Sequence, residues 1–317
     1  MMAGFVLVTL AADWLVDGAS GVAKRLNVSD LAIGLTVVAF GTSAPEFIVN
    51  IIAAVEGNSE IALTNIIGSN TINTLIVLGL SAVVFPLTAQ KSTVRVDLPL
   101  SILASLLVLL MGMDFFLPDG FWGVRAADRG ISQLEGIVLL LVFVFFMYHS
   151  IREGRREGNA GEAVQVRALW KSVALIIIGL VGLVLSGEVI VRSATAIARG
   201  LGVSDAIIGV TIVALGTSLP ELATSVVAAF KKNVDLAIGN VVGSNLFNVF
   251  FILGTSSLIH PLPAYSHLVP DALVALVASV LVWIFVLGRR HRVSRWQGGL
   301  LLLVYAVYLW WMLTHLA

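Results

Sequence analysis

Apolar residues run along this chain in blocks of about twenty, the length a helix needs to cross a hydrocarbon core of about 30 Å, and polar residues gather between the blocks. Setting each block against its flanks predicts ten spans, at 2–22, 31–55, 61–85, 97–113, 131–151, 170–198, 206–230, 236–259, 269–288 and 296–315. The alternating strands of about ten residues that mark a membrane barrel are missing. The N-terminus enters an apolar block at once and shows no small-residue cleavage site, so it reads as the first span and not as a signal peptide.

Two of these spans are interrupted in the same way. Gly41-Thr42-Ser43-Ala44-Pro45-Glu46 recurs as Gly216-Thr217-Ser218-Leu219-Pro220-Glu221, at an offset of 175 (216 − 41). Proline removes a backbone donor and glycine weakens a helix, so each copy marks a helix break. An ionised Glu in hydrocarbon costs several kcal/mol, about 3 on insertion scales, and such residues are functional candidates by default.

The offset extends well past the motif. Residues 26–46 and 201–221 share 14 of 21 positions, including Val28-Ser29-Asp30 against Val203-Ser204-Asp205. Residues 61–79 and 236–254 share 8 of 19, including Asn65, Gly68-Ser69-Asn70 and Asn73 against Asn240, Gly243-Ser244-Asn245 and Asn248. Asp13 pairs with Glu188, and Pro86 with Pro261. Apolar identities are cheap in membrane helices, whereas polar and helix-breaking ones at one unbroken offset are not. The predicted fold is therefore all-α and polytopic, ten transmembrane helices in two inverted five-helix repeats. The first repeat covers 1–151 with its motif at 34–79, a basic linker covers 152–169, and the second repeat covers 170–317 with its motif at 209–254.

An odd number of spans per repeat inserts the halves upside down relative to each other. Charge agrees. With the central linker in the cytoplasm, 15 of the 19 Lys and Arg residues fall inside, and only Arg125, Arg129, Arg192 and Arg199 fall outside. Glu56 and Glu60 flank the loop after the first motif helix, while Lys231 and Lys232 occupy the equivalent loop of the second. Both termini are expected outside the cytoplasm. The linker reads as a solvated topology determinant, too short for a folded regulatory domain.

Composition narrows the class. The chain is 58% hydrophobic and 12% charged with a mean hydropathy of +1.00, against about 25% charged residues in soluble domains. Its partner is the lipid bilayer. A net charge of zero gives no reason to expect nucleic acid, and the lack of Cys rules out disulfides, thiolate metal sites and Cys nucleophiles. The five His residues lie at span ends or in loops and form no catalytic or zinc cluster. No enzyme chemistry and no resident cofactor are implied. Oligomeric state is not legible.

Ser43-x-x-Glu46 and Ser218-x-x-Glu221 also fit the capping box, with Ser as N-cap and Glu at the third helical position. A capped start normally sits at a wet end, yet these lie about ten residues into a span, where broken backbone must be buried in protein or line a cavity. On the functional reading, unwinding near Gly41 frees the carbonyls of Ala39 and Thr42. Glu46 adds a carboxylate, and Thr42 and Ser43 add hydroxyls. Ala214, Thr217, Ser218 and Glu221 supply the second copy. Ser69 and Asn73, four apart on one helical face, join from the next span, as do Ser244 and Asn248. Gly68 and Gly243 let those helices bend or approach closely. Such oxygen sets suit hard cations. Two carboxylates balance one Ca²⁺, two Na⁺ or two protons, which suits an exchanger better than a channel. Asp13 and Glu188 are either ion-path groups or helix-pairing groups. Trp and Tyr residues near 296–311 read as interface anchors, and Asp97 and Asp271 as starts of the fourth and ninth helices.

Gly-Thr-Ser-x-Pro-Glu followed by Gly-Ser-Asn-x-x-Asn, in two copies, resembles the calcium/cation antiporter superfamily, and within it the prokaryotic sodium/calcium exchangers. The resemblance covers nearly the whole chain. It implies clustered midplane sites formed by spans two, three, seven and eight, one for Ca²⁺ and up to three for Na⁺. It places Ca²⁺ on Glu46, Glu221 and the carbonyls of Thr42 and Thr217. It places Na⁺ on the carbonyls of Ala39 and Ala214 and on Ser43, Ser69, Thr217, Ser218 and Ser244, shared with the glutamates. Asn73 and Asn248 complete the central site, and spans one and six slide across the core. Many relatives carry Asp at the position of Asn248, so the resemblance argues against potassium dependence here.

The expected function is a secondary antiporter of a prokaryotic plasma (inner) membrane that exchanges Ca²⁺ for Na⁺ by alternating access. Ca²⁺/H⁺ antiport is the alternative on the same fold. A cation channel or a non-transporting membrane protein is the rival from another class.

Overall fold

The computed structural model describes residues 1–113, 130–156, 168–202, 211–212, 214–288 and 290–316. In chain order its helices are α1 Met2–Leu26, α2 Asp30–Thr42, α3 Ala44–Val55, α4 Ser59–Val84, α5 Thr93–Gly112 and α6 Gln133–Arg156. There follow α7 Leu169–Gly200, α8 Ala214–Thr217, α9 Leu219–Phe230, α10 Val234–Ile259, α11 Leu268–Leu287 and α12 Arg295–Leu316. Among the described residues, eight helices are long and apolar enough to cross a membrane, and α2 with α3, bent by 50°, makes a ninth. Part of the span predicted at 206–230 lies outside the described residues, as do Val203-Ser204-Asp205, Arg125, Arg129, Arg289 and most of the 152–169 linker.

The architecture is built around α4 and α10, the two helices that carry Gly-Ser-Asn-x-x-Asn. In their most apolar stretches 78% and 94% of residues are buried inside the protein, against 17% for the outer helix α12. Close backbone approach explains how α10 gets so deep. A Cβ at Gly239 would lie 2.7 Å from the Leu31 carbonyl oxygen, and one at Gly243 would lie 2.6 Å from the Leu35 carbonyl oxygen. Gly239 and Gly243 are four apart, the small-x-x-x-small spacing that lets membrane helices touch along their backbones. The expected role of Gly243 is met. At Gly68, by contrast, nothing lies within 4 Å of a Cβ among the described residues.

The long helices α1 and α7 run antiparallel along each other, again through small residues. Gly18 faces the Ser172 carbonyl, and Gly179 faces the backbone of Ala11 and Leu15. This pair is tied to α9 and α10 at one end. The Lys231 ammonium lies 2.6 Å from both Asp13 and Asp17 of α1. Asp13 thus ties α1 to the turn that follows α9. Its counterpart Glu188 pairs along its own helix with Arg192 at 2.5 Å.

Helix ends follow local chemistry. Asn27 closes α1 in the left-handed region, where Asn is tolerated, and its N–H reaches the Ala23 and Lys24 carbonyls. Asn58 and Asn233 are matching N-caps that accept from the N–H groups of Ile61 and Leu236 at 3.3 and 3.1 Å. Asn233 does more, donating to Ser20 of α1 at 2.9 Å and Asp30 of α2 at 2.8 Å. Asn233→Ala is therefore expected to cost about 2 kcal/mol, against about 1 for Asn58→Ala. Thermal unfolding in detergent checks the order of the two variants; equal shifts would show that the extra bonds contribute nothing.

Several expectations shift in detail. The fourth span begins at Thr93 with a π-helical turn to Asp97, so Asp97 ends the first turn and does not start the helix. Asp271 does lie in the first turn of α11, where it accepts hydrogen bonds from Tyr265 at 2.7 Å and Tyr308 at 2.9 Å. Tyr308 thus ties α12 to α11, while Trp296 and Trp310 are exposed. Two short antiparallel ribbons, not anticipated from the sequence, link the halves. Leu87–Thr88 pairs with Arg292–Val293, and Gly130–Ile131 pairs with Leu262–Pro263.

Candidate cation-binding site

The helix break falls at Ser43, two residues later than expected. α2 stays helical through Thr42, and α3 restarts at Ala44 with Pro45 in its first turn. Proline has no N–H, so the Gly41 carbonyl loses the donor a continuous helix would give it. The Ala39 carbonyl is not freed, because it accepts from the Ser43 N–H at 3.0 Å and the Thr42 hydroxyl at 3.4 Å. The second copy repeats the arrangement, with α8 ending at Thr217, Ser218 at the bend and Pro220 opening α9. Ala214 begins α8 as the counterpart of Ala39.

The capping box is half right. Ser43 and Ser218 occupy the N-cap positions of α3 and α9, but neither side chain caps its own helix. The hydroxyls cross over. Ser43 donates to Glu221 at 2.8 Å, and Ser218 donates to Glu46 at 3.3 Å. Each glutamate takes a second hydroxyl from the next helix of its own half, Ser69 to Glu46 at 3.4 Å and Ser244 to Glu221 at 3.3 Å. All four bonds end on the Oε1 oxygens. Both Oε2 oxygens are buried without a hydrogen-bond partner.

Thr42 donates to Asn240 at 3.1 Å and lies 3.5 Å from the Ser244 hydroxyl, while Thr217 faces Glu46. Asn73 and Asn248 are fully buried on the same two central helices, each at or within a π-helical turn. Such turns are rare and recur at functional sites. Among the described residues no hydrogen bond joins either Asn to a glutamate. Asn248 donates to Asn70 at 2.9 Å, and both side-chain atoms of Asn73 are buried without a partner.

The sequence marks Asn65, Asn70, Asn240 and Asn245 as matched polar positions without giving them a role, and it leaves Asn50, Ser225 and Thr74 unmarked; together they hold this frame. Asn65 donates to Asn50 at 2.6 Å and to the Glu46 carbonyl at 3.4 Å. Asn240 does the same for Ser225 at 2.9 Å and the Glu221 carbonyl at 3.3 Å. Asn245 joins the halves by donating to Thr74 at 2.9 Å, as Asn70 does by donating to the Asn245 carbonyl at 3.2 Å. A signal existed, since Asn50 and Ser225 lie four residues past Glu46 and Glu221, on the same helical face.

Chemically the cluster is two fully buried carboxylates among hydroxyls and amides, with no Lys, Arg or His ion-paired to them among the described residues. A buried charge without a partner costs several kcal/mol, so the set attracts cations. Its all-oxygen donors suit hard ions.

A helical bundle crossing a membrane with such a cluster at its centre is an integral membrane protein of the cation-transporter class. The model of the sodium/calcium exchanger protein family matches residues 1–152 and 171–314, and the chain belongs to that family. It is 34% identical to the putative antiporter CaxA of Alkalimonas amylolytica over 97% of this chain and 96% of that protein. It is 28% identical to the Ca²⁺/H⁺ antiporter ChaA of Bacillus subtilis over 86% of this chain and 81% of that protein. A structure of the sodium-calcium exchanger NCX_Mj, soaked with Na⁺ and Ca²⁺, superposes with a TM-score of 0.81 at 32% identity, covering 97% of this chain and 95% of that one. The chain is thus an antiporter of the exchanger family and not an enzyme.

Proposed function

We propose that the protein exchanges Ca²⁺ for Na⁺ by alternating access, with ions held between Glu46 and Glu221. The crossed serine bonds carry this reading. They bring two carboxylates from opposite halves of the sequence onto one hydroxyl cluster while leaving one oxygen of each unbonded. One Ca²⁺ or two Na⁺ neutralise the same pair, so the loads compete for one set of charges. Glu46, Glu221, Thr42 and Thr217 take Ca²⁺ in this reading. Ser43, Ser69, Ser218, Ser244 and the Ala39 and Ala214 carbonyls serve Na⁺, and Asn73 and Asn248 complete the centre. The Ala39 carbonyl has to release its hydrogen bonds to serve.

The chain is read as ten spans in two inverted repeats, 1–151 and 170–317, with a cytoplasmic linker and both termini outside a prokaryotic inner membrane. The 175-residue offset that recurs in the hydrogen-bond pattern supports the repeat, as does the distribution of Lys and Arg. Ca²⁺/H⁺ antiport is the second reading, favoured by the likeness to ChaA, since two protons also neutralise the pair.

Calcium uptake into vesicles, driven in turn by Na⁺, H⁺ and K⁺ gradients, tests the choice. An outward Na⁺ gradient at fixed pH is expected to drive uptake at least tenfold above background. Uptake that follows only the pH gradient would overturn the sodium reading.

A further inference from the structure

A cavity of about 910 Å³ outside the ion cluster lies between α2, the ends of α1 and α6, and the middle of α7. Pockets that take small organic ligands span roughly 300–1,000 Å³. Its walls are apolar, among them Val37, Phe40, Met147 and Val184, and its Thr36 hydroxyl is tied to the Ala32 carbonyl at 2.6 Å. The charged side chain in its lining is Arg155, at the rim.

The rim is basic by construction. The Ser29 N–H donates to the Gly154 carbonyl at 3.0 Å, and Gly154 is seated on Ala32, which brings the end of α6 to the end of α1. Arg152 and Arg155 at the end of α6 and Lys24 and Arg25 at the end of α1 are all exposed at these joined ends. Of the acids at this end, Glu153 is taken up by Arg156 at 3.4 Å, and Asp30, which faces Lys24, accepts from Asn233 at 2.8 Å. From Arg155 down to Met147 is eight residues, about 12 Å of helix. That is close to one leaflet of a core about 30 Å thick. The cavity is thus one leaflet deep, greasy below and cationic at the headgroup level.

We propose that this cavity binds one anionic phospholipid, an acyl chain lying along Val37 and Val184 and the phosphate held by Arg155 with its basic neighbours. Membrane anionic lipid is concentrated on the face where basic residues collect. The chain's floor is Gly41 and Ala44, on either side of the Ser43 bend, so lipid occupancy restrains that hinge.

Native mass spectrometry of the full chain, released from micelles doped with equal phosphatidylglycerol and phosphatidylcholine of the same acyl length, tests this without recourse to transport. The wild type is expected to retain one phosphatidylglycerol at least fivefold over phosphatidylcholine. Arg155→Gln should reduce that preference about fivefold, in line with the worth of one basic residue at a headgroup. Val37 is exposed into the cavity, so Val37→Trp fills it without emptying the core and should displace the bound lipid whatever its headgroup. Equal retention of both lipids by the wild type would overturn the proposal. So would retention unchanged in both variants.

Discussion

Glu221→Gln and Glu46→Gln should each abolish coupled calcium flux while leaving a folded protein. The substitution keeps the shape of the side chain and both of its hydroxyl neighbours, so the helix break and its packing survive. What disappears is one of two charges that a divalent ion must find in a site from which water is excluded. Removing one partner of a buried charge pair costs about 3–5 kcal/mol. That corresponds to a loss of at least 100-fold in ion affinity, at 1.4 kcal/mol per tenfold. Calcium-driven flux in vesicles should fall to background in both variants, with the same elution profile and melting behaviour as the wild type. Coupled flux that persists undiminished in both would remove the glutamates from the site.

Gly243→Val should be the most damaging substitution outside the charged pair. A Cβ there meets the Leu35 carbonyl oxygen at 2.6 Å, the Leu35 Cα at 2.7 Å and the Ala39 Cβ at 2.8 Å. Two of these are backbone atoms, which cannot step aside as a flexible side chain would. α10 must move off α2, carrying Ser244 away from Glu221 and Asn240 away from Thr42. Overpacking of this kind costs about 3 kcal/mol. Thermal unfolding in detergent should show a clear drop, and calcium should no longer protect the fold. By contrast Gly68→Ala should leave both nearly unchanged, since a methyl there meets open space among the described residues. A Gly243→Val protein as stable as the wild type would show that the close approach has slack.

Much of this was legible in the sequence because membrane helices use so few polar residues. Every Glu, Asn or Pro inside an apolar block is informative, and a repeated offset makes each count twice. Spans, breaks and both carboxylates could be read that way. The hydroxyl bonds could not. A capping box has the serine oxygen accept from an N–H of its own helix, whereas Ser43 leaves that helix uncapped and turns to donate its O–H to Glu221. Glycine and proline together mark the break, but the missing N–H of Pro45 decides where the chain bends, at Ser43 and not at Gly41. The π-helical turns at Asn73 and around Asn248 leave no compositional trace, and the paired ribbons are only two residues long, below any periodicity. Position along its helix suggests only a membrane-surface place for Tyr308. Its partner Asp271 lies 37 residues earlier in the chain, a relation that only the packing of α11 against α12 reveals.

The exchange of serines between the two halves has a thermodynamic consequence. On the proposed reading, Ser43 offers its lone pairs to an ion of one half while its O–H still donates to Glu221 of the other, so loading on one half polarises the bond to the acidic group of the other. Ser218 and Glu46 impose the converse. Linkage of this sort is reciprocal, each side altering the other's affinity by the same factor. On that reading neither half is an independent binding unit, because each carboxylate shares a hydroxyl with the helix break of the other half.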